Sequence, residues 1–240
     1  MTQEKQVALS GIHVASRSEL LFYAVCRTFV VGLSHLLFVG GVIGKENIPK
    51  SGAFIVAPIH RSYIDWFISA RVSKRRLRYL VKGEVWKVKL AGRLLEMLGA
   101  FPVQRGAADR DALKRALEVL NAGEPLVVFP EGTRGLGSEV RQIREGAAYL
   151  ALRAAVPVIP VGMAGVERAM PRGSNWIRPA RVVVSVGKPI MTAVDRDVEE
   201  GSRRIARTLT ASLTEEIRTG MEQAQAMAES HLQGTKRIKL

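Results

Sequence analysis

The chain has 240 residues, long enough for one α/β domain with its own core. Lys and Arg number 36 against 22 Asp and Glu, and the formal net charge is +14. This charge favours an anionic partner: nucleic acid, an anionic membrane surface or a phosphorylated substrate. Aromatic residues make up only 6% of the chain, which argues against single-strand binding by base stacking. The one cysteine, Cys26, excludes an internal disulfide, and no histidine pair has zinc-site spacing, so we predict no metal site.

The N-terminal segment is mostly apolar over residues 20–43. Arg27, Ser34 and His35 interrupt it at spacings that place them on one helical face, opposite an apolar face. This pattern predicts an amphipathic helix that lies in a membrane interface. A helix that caps the protein core is the alternative, because amphipathicity alone does not separate the two.

Strands and helices alternate through the rest of the chain. Short apolar runs bounded by Gly and Pro predict strands over residues 53–57, 78–82, 101–103, 125–129, 156–161 and 181–187. Periodic segments predict helices over residues 64–73, 85–98, 109–121, 144–154 and 198–232. The alternation predicts an α/β fold with a mainly parallel central sheet flanked by helices. We divide the chain into a membrane-associated helical element, residues 1–44, and an α/β domain, residues 45–240.

Polar segments follow three of these strands, at residues 60–65, 101–106 and 129–135. Ligands of such sheets bind outside the carboxyl ends of the strands. In the first segment, a turn would let the Asp65 carboxylate fold back onto the His60 imidazole and orient it. No nucleophilic Ser or Cys accompanies the pair, so it is suited to general-base activation of a bound alcohol. The alternative is a turn histidine, with Asp65 capping the next helix.

The third segment, Phe129-Pro-Glu-Gly-Thr-Arg-Gly135, combines groups that bind phosphate. Gly132 allows close backbone approach, Thr133 can donate a hydrogen bond, and Arg134 supplies a planar charged fork. Glu131 is suited to bind an acceptor hydroxyl or to hold Arg134. An ordinary strand-terminal loop with a surface ion pair is the alternative.

Further cations lie at other strand ends. Lys82 ends one predicted strand and Arg105 follows another, so both can join Arg134 in a pocket for a phosphomonoester. Basic residues also dominate the stretch 74–93, where they alternate with apolar residues at helical spacing. That stretch is either a solvated helix face or a surface for anionic lipid.

Four ordered blocks resemble the glycerolipid (lysophosphatidic acid) acyltransferase family. His60-Arg-Ser-Tyr-Ile-Asp65 is similar to its His-x4-Asp motif, and residues 129–135 resemble its acceptor-binding block. Gly99-Ala-Phe-Pro-Val-Gln-Arg105 and Val156-Pro-Val-Ile-Pro-Val-Gly162 resemble the remaining two blocks. Gln104 departs from the pattern, since relatives often carry an acid there.

The resemblance implies a function and a set of roles. His60 would be the general base and Asp65 its partner, while the acceptor's phosphate and glycerol would be held by Lys82, Arg105, Glu131, Gly132, Thr133 and Arg134. The co-substrate would be acyl-CoA or acyl-carrier protein, with no other cofactor. The expected location is the cytoplasmic face of the cell membrane, as a monotopic or peripheral protein on anionic lipid, with no nucleic-acid partner.

The leading hypothesis is acyl transfer to the free hydroxyl of lysophosphatidic acid, giving phosphatidic acid. Glycerol 3-phosphate, another lysophospholipid or a glycolipid are alternative acceptors for the same chemistry. A non-enzymatic basic protein that binds nucleic acid or membrane is a further alternative, but it leaves the three strand-end segments unexplained.

Overall fold

The computed structural model describes residues 15–103, 109–135, 137, 139–171, 173–191 and 199–237, with the backbone alone at 82, 109, 199–203 and 231–237. The α-helices are α1 (Arg17–Leu37), α2 (Asp65–Ser69), α3 (Lys89–Met97), α4 (Asp109–Asn121), α5 (Gly146–Ala154), α6 (Val166–Ala169) and α7 (Glu199–Arg237). Two short 3-10 helices cover Lys45–Asn47 and Gly83–Lys87.

The strands form two sheets. They are β1 (Phe38–Val39), β2 (Val42–Ile43), β3 (Ile55–Pro58), β4 (Arg78–Lys82), β5 (Ala100–Val103), β6 (Leu126–Val127), β7 (Val158–Ala164), β8 (Ala180–Arg181) and β9 (Val183–Val186). β1 pairs with β8, and the other seven form one sheet in the order β2-β9-β7-β3-β6-β4-β5. Among the strand pairs of the described residues, β7–β9 is antiparallel and the others are parallel. The predicted mainly parallel α/β fold is confirmed.

The central strands carry apolar residues at successive positions because both faces of the sheet are covered. Every residue of β3, β7 and β9 is buried. Helix α7 packs along β7 and β9, α4 contacts β4 and β6, and α5 contacts both of those helices. The core therefore lies between the sheet and these helices, and the carboxyl ends of β3 and β6 are left side by side at one edge.

Several predicted elements differ from the structure. The predicted N-terminal helix is wrong beyond Leu37, since residues 38–43 form strands whose carbonyls accept from Val182 and Val184, 3.0 Å away in each case. Long-range pairing thus overrides the local apolar pattern. The predicted helix over residues 85–98 is divided where Val88 adopts an extended conformation, and the helix predicted over 64–73 covers only α2. Whether the chain divides into functional segments at residue 44 stays a prediction.

Helix α1 has its polar side toward the domain. Tyr23 Oη donates to the Arg75 carbonyl over 3.3 Å, and Arg27 Nε donates to the Ser73 carbonyl over 2.7 Å. Near its C-terminus, His35 Nδ1 lies 3.3 Å from Arg71 Nη2. Partial burial, then the charges of Arg71 and Lys45, lower the pKa of His35, which keeps the ring neutral at pH 7 and able to accept from Arg71.

The opposite side of α1 is apolar and faces outward. Its exposed large side chains are Leu20, Leu21, Val25, Phe29, Leu33 and Leu36. The helix has 21 residues and a mean hydropathy of 1.7 in its most apolar window, of which only 11% is buried. By length and composition it is a candidate membrane span. Such low burial does not fit the alternative of a helix that caps the core.

Candidate active site

The first and third polar segments, residues 60–65 and 129–135, meet because β3 and β6 are neighbours. Val56 of β3 lies beside Val127 of β6 in parallel register, so the residues that follow the two strands leave the sheet at the same edge. The loop after β3 carries His60, and the loop after β6 carries Glu131. A backbone hydrogen bond of 2.8 Å from the Gly135 N–H to the His60 carbonyl joins the loops.

His60 and Asp65 are in direct contact. The imidazole Nδ1 lies 2.8 Å from Asp65 Oδ2, and the His60 side chain retains 21% exposure while that of Asp65 retains 0%. Asp65 is the first residue of α2, and its Oδ2 also accepts from the N–H groups of Arg61 and Ser62, at 2.5 and 2.8 Å. The backbone of the turn therefore surrounds the Asp65 carboxylate, and the contact with this carboxylate fixes the orientation of the His60 imidazole.

The free edge of the imidazole faces outward. Among the described contacts, Nε2 has no hydrogen-bond partner, whereas Nδ1 is held by Asp65. The ring of Phe129 stacks on the imidazole with centroids 4.2 Å apart and planes inclined by 28°. With Nδ1 carrying the proton shared with Asp65, Nε2 presents a lone pair to a bound molecule, as general-base catalysis requires.

Glu131 ties the two loops together from inside. The residue is 5% exposed, and its Oε2 accepts from the His60 N–H at 3.0 Å and from Arg61 Nη1 at 2.5 Å. Its Oε1 accepts from the Arg141 N–H at 2.9 Å. Among the described hydrogen bonds and ion pairs, Glu131 contacts His60, Arg61 and Arg141, and its role toward an acceptor hydroxyl or toward Arg134 stays a prediction.

Arg61 is the buried partner of Glu131. It is 2% exposed, and besides Glu131 it donates to the carbonyls of His60 and Glu139. Gly135 leaves room for it, because a Cβ on Gly135 would lie 2.3 Å from Arg61 Nη1. The ion pair, the hydrogen bonds and this close approach make the two loops one unit.

The segment after Glu131 faces outward. Gly132, with φ at +69°, turns the chain in the left-handed region that glycine tolerates. Gly132 and Thr133 are exposed, and Arg134 is half-buried. The Arg134 guanidinium lies 3.5 Å from the ring centroid of Tyr63, which is 55% exposed. Cation–π contact of this kind restrains Arg134 and leaves its N–H groups available at the rim.

The two remaining residues predicted to bind the acceptor are Lys82 and Arg105. Lys82 is the last residue of β4, the strand next to β6, and its backbone ends at the same edge of the sheet. Nothing is described of its side chain. Arg105 lies outside the described residues. Among those described, no three His, Cys, Asp or Glu side chains cluster so as to hold a metal ion.

Sequence reasoning did not single out Arg61 or Tyr63. The signal for Arg61 was the pair of opposite charges at positions 61 and 131, in loops after two predicted strands. That signal becomes useful only when the strands are known to be neighbours. Tyr63 has no comparable signal, because an aromatic residue in a polar turn does not reveal its partner.

The chain belongs to the family described as Acyltransferase, whose model matches residues 41–164, just over half of the chain. It is 28% identical over 171 residues to a chloroplastic 1-acyl-sn-glycerol-3-phosphate acyltransferase of Brassica napus, covering 69% of this chain and 49% of that protein. It is 27% identical over 153 residues to the 1-acyl-sn-glycerol-3-phosphate acyltransferase of Bacillus subtilis, covering 63% and 74%. The chain thus spans about half the length of the plant relative.

A solved structure has the same fold. The crystal structure of the 1-acyl-sn-glycerophosphate (LPA) acyltransferase PlsC from Thermotoga maritima superimposes with a TM-score of 0.64 at 24% identity, over 88% of this chain and 87% of that one. The resemblance drawn from the four sequence blocks is confirmed at the level of the family and the fold.

Proposed function

We propose that the chain transfers a fatty acyl group from an acyl thioester to the free hydroxyl of lysophosphatidic acid, giving phosphatidic acid. The observation that carries this proposal is the His60–Asp65 contact, with imidazole Nε2 facing outward beside the exposed segment Gly132–Arg134. Relatives bearing the name 1-acyl-sn-glycerol-3-phosphate acyltransferase support the choice of acceptor.

The reaction proceeds by direct transfer. Nε2 of His60 removes the hydroxyl proton as the oxygen attacks the thioester carbonyl, and Asp65 stabilises the resulting imidazolium. When the tetrahedral intermediate collapses, the carbon–sulfur bond breaks and the imidazolium returns the proton to the departing thiolate. The products are the new ester and the free thiol of CoA or acyl-carrier protein. No covalent acyl-enzyme is needed.

The acceptor's phosphate binds beside the imidazole. Arg134, held against Tyr63, supplies a cation in the exposed segment, and the exposed backbone and hydroxyl at Gly132 and Thr133 supply hydrogen bonds. We propose that Lys82 and Arg105 also bind the phosphate. We assign Glu131 a positioning role, since its buried carboxylate already binds the His60 N–H and Arg61.

The enzyme acts at the surface of an anionic membrane. Helix α1 is tied to the domain at Tyr23, Arg27 and His35, which extend over about 18 Å of helix at 1.5 Å per residue. A helix held flat in this way lies in the interface with its apolar side toward the lipid, and does not cross the bilayer. The location we propose is the cytoplasmic face of the cell membrane.

Replacement of the base tests the chemistry. We expect His60→Ala to lower acyl transfer by roughly 10²–10⁴-fold, measured with radiolabelled acyl thioester and lysophosphatidic acid in mixed micelles. Circular dichroism should show an unchanged fold, because the imidazole is partly exposed and lies at the surface of the domain, against Phe129 and Asp65. A folded His60→Ala protein with near-normal turnover contradicts the assignment.

A panel of acceptors and donors tests the substrates. Lysophosphatidic acid, glycerol 3-phosphate, other lysophospholipids and a glycolipid should each be offered with acyl-CoA and with acyl-carrier protein. We expect the highest kcat/KM with lysophosphatidic acid. Activity with another acceptor and none with this one would retain the mechanism and refute the acceptor.

A further inference from the structure

A second exposed apolar site lies in the loop between α6 and β8. This loop, residues 173–179, is called the Trp176 loop below. Trp176 is 80% exposed and the neighbouring Ile177 is 48% exposed. An indole with so little packing contributes almost nothing to the core, although burying such a side chain is among the larger gains available to a protein. Its exposure therefore calls for a partner.

The loop holds this shape through its own hydrogen bonds. The Ser174 N–H donates to the Pro171 carbonyl at 3.0 Å, and the Trp176 N–H donates to Ser174 Oγ at 3.1 Å. At the base of the loop, the Arg178 N–H donates to the Ala169 carbonyl at 2.8 Å. The turn thus presents Trp176 and Ile177 at its tip, away from the domain.

The position of the loop connects it with α1. The loop leads directly into β8, where Ala180 pairs with Phe38, the residue that follows α1. Three residues of extended chain and one strand spacing separate Ile177 from the end of α1, at most on the order of 15 Å. Leu36 and Val39, at that end of α1, are 79% and 65% exposed. The apolar side of α1 and the loop therefore lie close together.

The loop is also tied to the catalytic segment. Ser62 Oγ donates to the Met170 carbonyl over 2.8 Å, three residues before the loop begins. Ser62 itself lies in the turn around Asp65. A partner that binds the loop is therefore connected, through this hydrogen bond, to the turn that carries His60.

The charge of this region matches an anionic surface. From residue 168 to 181 the sequence contains four arginines and no acidic residue. Arg178 is exposed next to the tip, and Arg168, in α6, is exposed and forms a surface ion pair with Glu167 at 3.6 Å. Tryptophan flanked by arginine is the combination found at membrane interfaces, where the indole sits among the headgroups and the guanidinium groups meet lipid phosphates.

We propose that the Trp176 loop is a second membrane-binding element, which inserts Trp176 and Ile177 into the interface of an anionic bilayer next to α1 and holds the catalytic edge at the lipid surface. The proposal rests on the membrane-surface function proposed above, and it adds a specific contact to it. Two separate elements restrain the tilt of the domain against the membrane more than one helix does.

Vesicle binding tests the loop without any need for turnover. The full chain should bind phosphatidylcholine–phosphatidylglycerol vesicles in a flotation assay, and Trp176→Ser combined with Ile177→Ser should weaken partitioning by roughly tenfold. Met191→Ser is the matched control. Met191 is 71% exposed. Its neighbour Ile190 pairs with Val158 at the amino end of β7, away from the carboxyl ends of the central strands. Equal losses in the double variant and the control, or no loss, overturn the proposal.

Fluorescence provides a second test with a conservative variant. Lipids brominated near the glycerol should quench the tryptophan emission of the bound protein, and Trp176→Phe should abolish most of that quenching. The other two tryptophans, Trp66 and Trp86, are half-buried in the domain and remain in this variant. Quenching that persists in Trp176→Phe overturns the proposal even if the protein binds normally.

The results separate this proposal from the proposed function. A chain without acyltransferase activity that still shows quenching at Trp176 would refute the enzyme assignment and support the loop. A loop that binds an acidic carrier protein instead would give the opposite pattern: unchanged vesicle binding, with a loss of kcat/KM for acyl-carrier protein and not for acyl-CoA. That outcome overturns the membrane assignment.

Discussion

Two buried carboxylates at the candidate site do different work. Asp65 accepts from the imidazole and from two N–H groups of the same turn, so it orients the His60 ring. Glu131 accepts from the His60 N–H and from Arg61, so it fixes where the turn lies relative to the loop after β6. Two buried acids thus lie within one site, and of the two only Asp65 contacts the His60 imidazole, whereas Glu131 contacts the His60 backbone.

The Arg61–Glu131 pair should be strongly coupled. We expect Arg61→Met to lower the free energy of unfolding by about 3–5 kcal/mol, because it leaves the Glu131 carboxylate buried without its cation. Removing both charges in Arg61→Met with Glu131→Leu should recover part of this loss. Guanidinium denaturation in detergent, arranged as a double-mutant cycle, measures the coupling. Additive single effects would show that the two side chains do not depend on each other.

The residues of the site differ in how far sequence reveals them. His60 and Asp65 are neighbours along the chain, so their contact follows from a five-residue spacing and a turn. Arg61 and Glu131 are 70 residues apart, and their contact depends on β3 lying next to β6. Chain spacing carries no information about that adjacency, which is fixed by how the whole sheet packs.

At the scale of elements, α1 reverses the usual arrangement of a surface helix. Its polar residues make the contacts with the domain, and its apolar residues face outward. The sequence predicted this amphipathicity but not the course of the chain after Leu37. The helix also begins at a capping box, in which Ser16 and Glu19 each satisfy the other's backbone N–H. Its end depends on strand pairing with a segment some 140 residues away, which no local pattern shows.

The outward face of α1 should contribute to binding and not to stability. Val25 and Phe29 are 61% and 70% exposed, so Val25→Ser with Phe29→Ser should change the free energy of unfolding in detergent by no more than about 0.5 kcal/mol per site. The same variant should bind anionic vesicles roughly tenfold less tightly. Tyr149→Ser on α5, another exposed position, is the control for binding. A marked loss of stability would instead show that this face is packed.

At the scale of the molecule, part of the basic charge of the chain, +14 in total, lies next to α1. Lys87, Lys89 and Arg93 lie on or beside α3, which packs against α1. The apolar residues Leu90 and Leu94 of the same helix are exposed. The sequence allowed two interpretations of residues 74–93: a solvated helix face or a surface for anionic lipid. The exposed apolar side of α3, next to its basic residues, favours the lipid surface.

Binding should accordingly respond to both charge and salt. We expect partitioning to phosphatidylglycerol-containing vesicles to fall by roughly tenfold or more between about 0.05 and about 0.5 M NaCl, because screening removes the attraction between basic side chains and anionic headgroups. Binding to pure phosphatidylcholine vesicles should be weaker and nearly independent of salt, since it depends on apolar insertion alone. Equal affinity for the two kinds of vesicle at low salt would refute an electrostatic contribution.

The contacts of α1 also limit how the protein can be altered. The Tyr23 hydroxyl is the acceptor for the Leu77 N–H just before β4, and His35 is a partner of the buried Arg71. Deleting the helix to obtain a water-soluble enzyme would leave these groups without partners inside the domain. Helix α1 is therefore an integral part of the fold. A soluble form is better sought by replacing apolar side chains on its outer face, where they support nothing else in the fold.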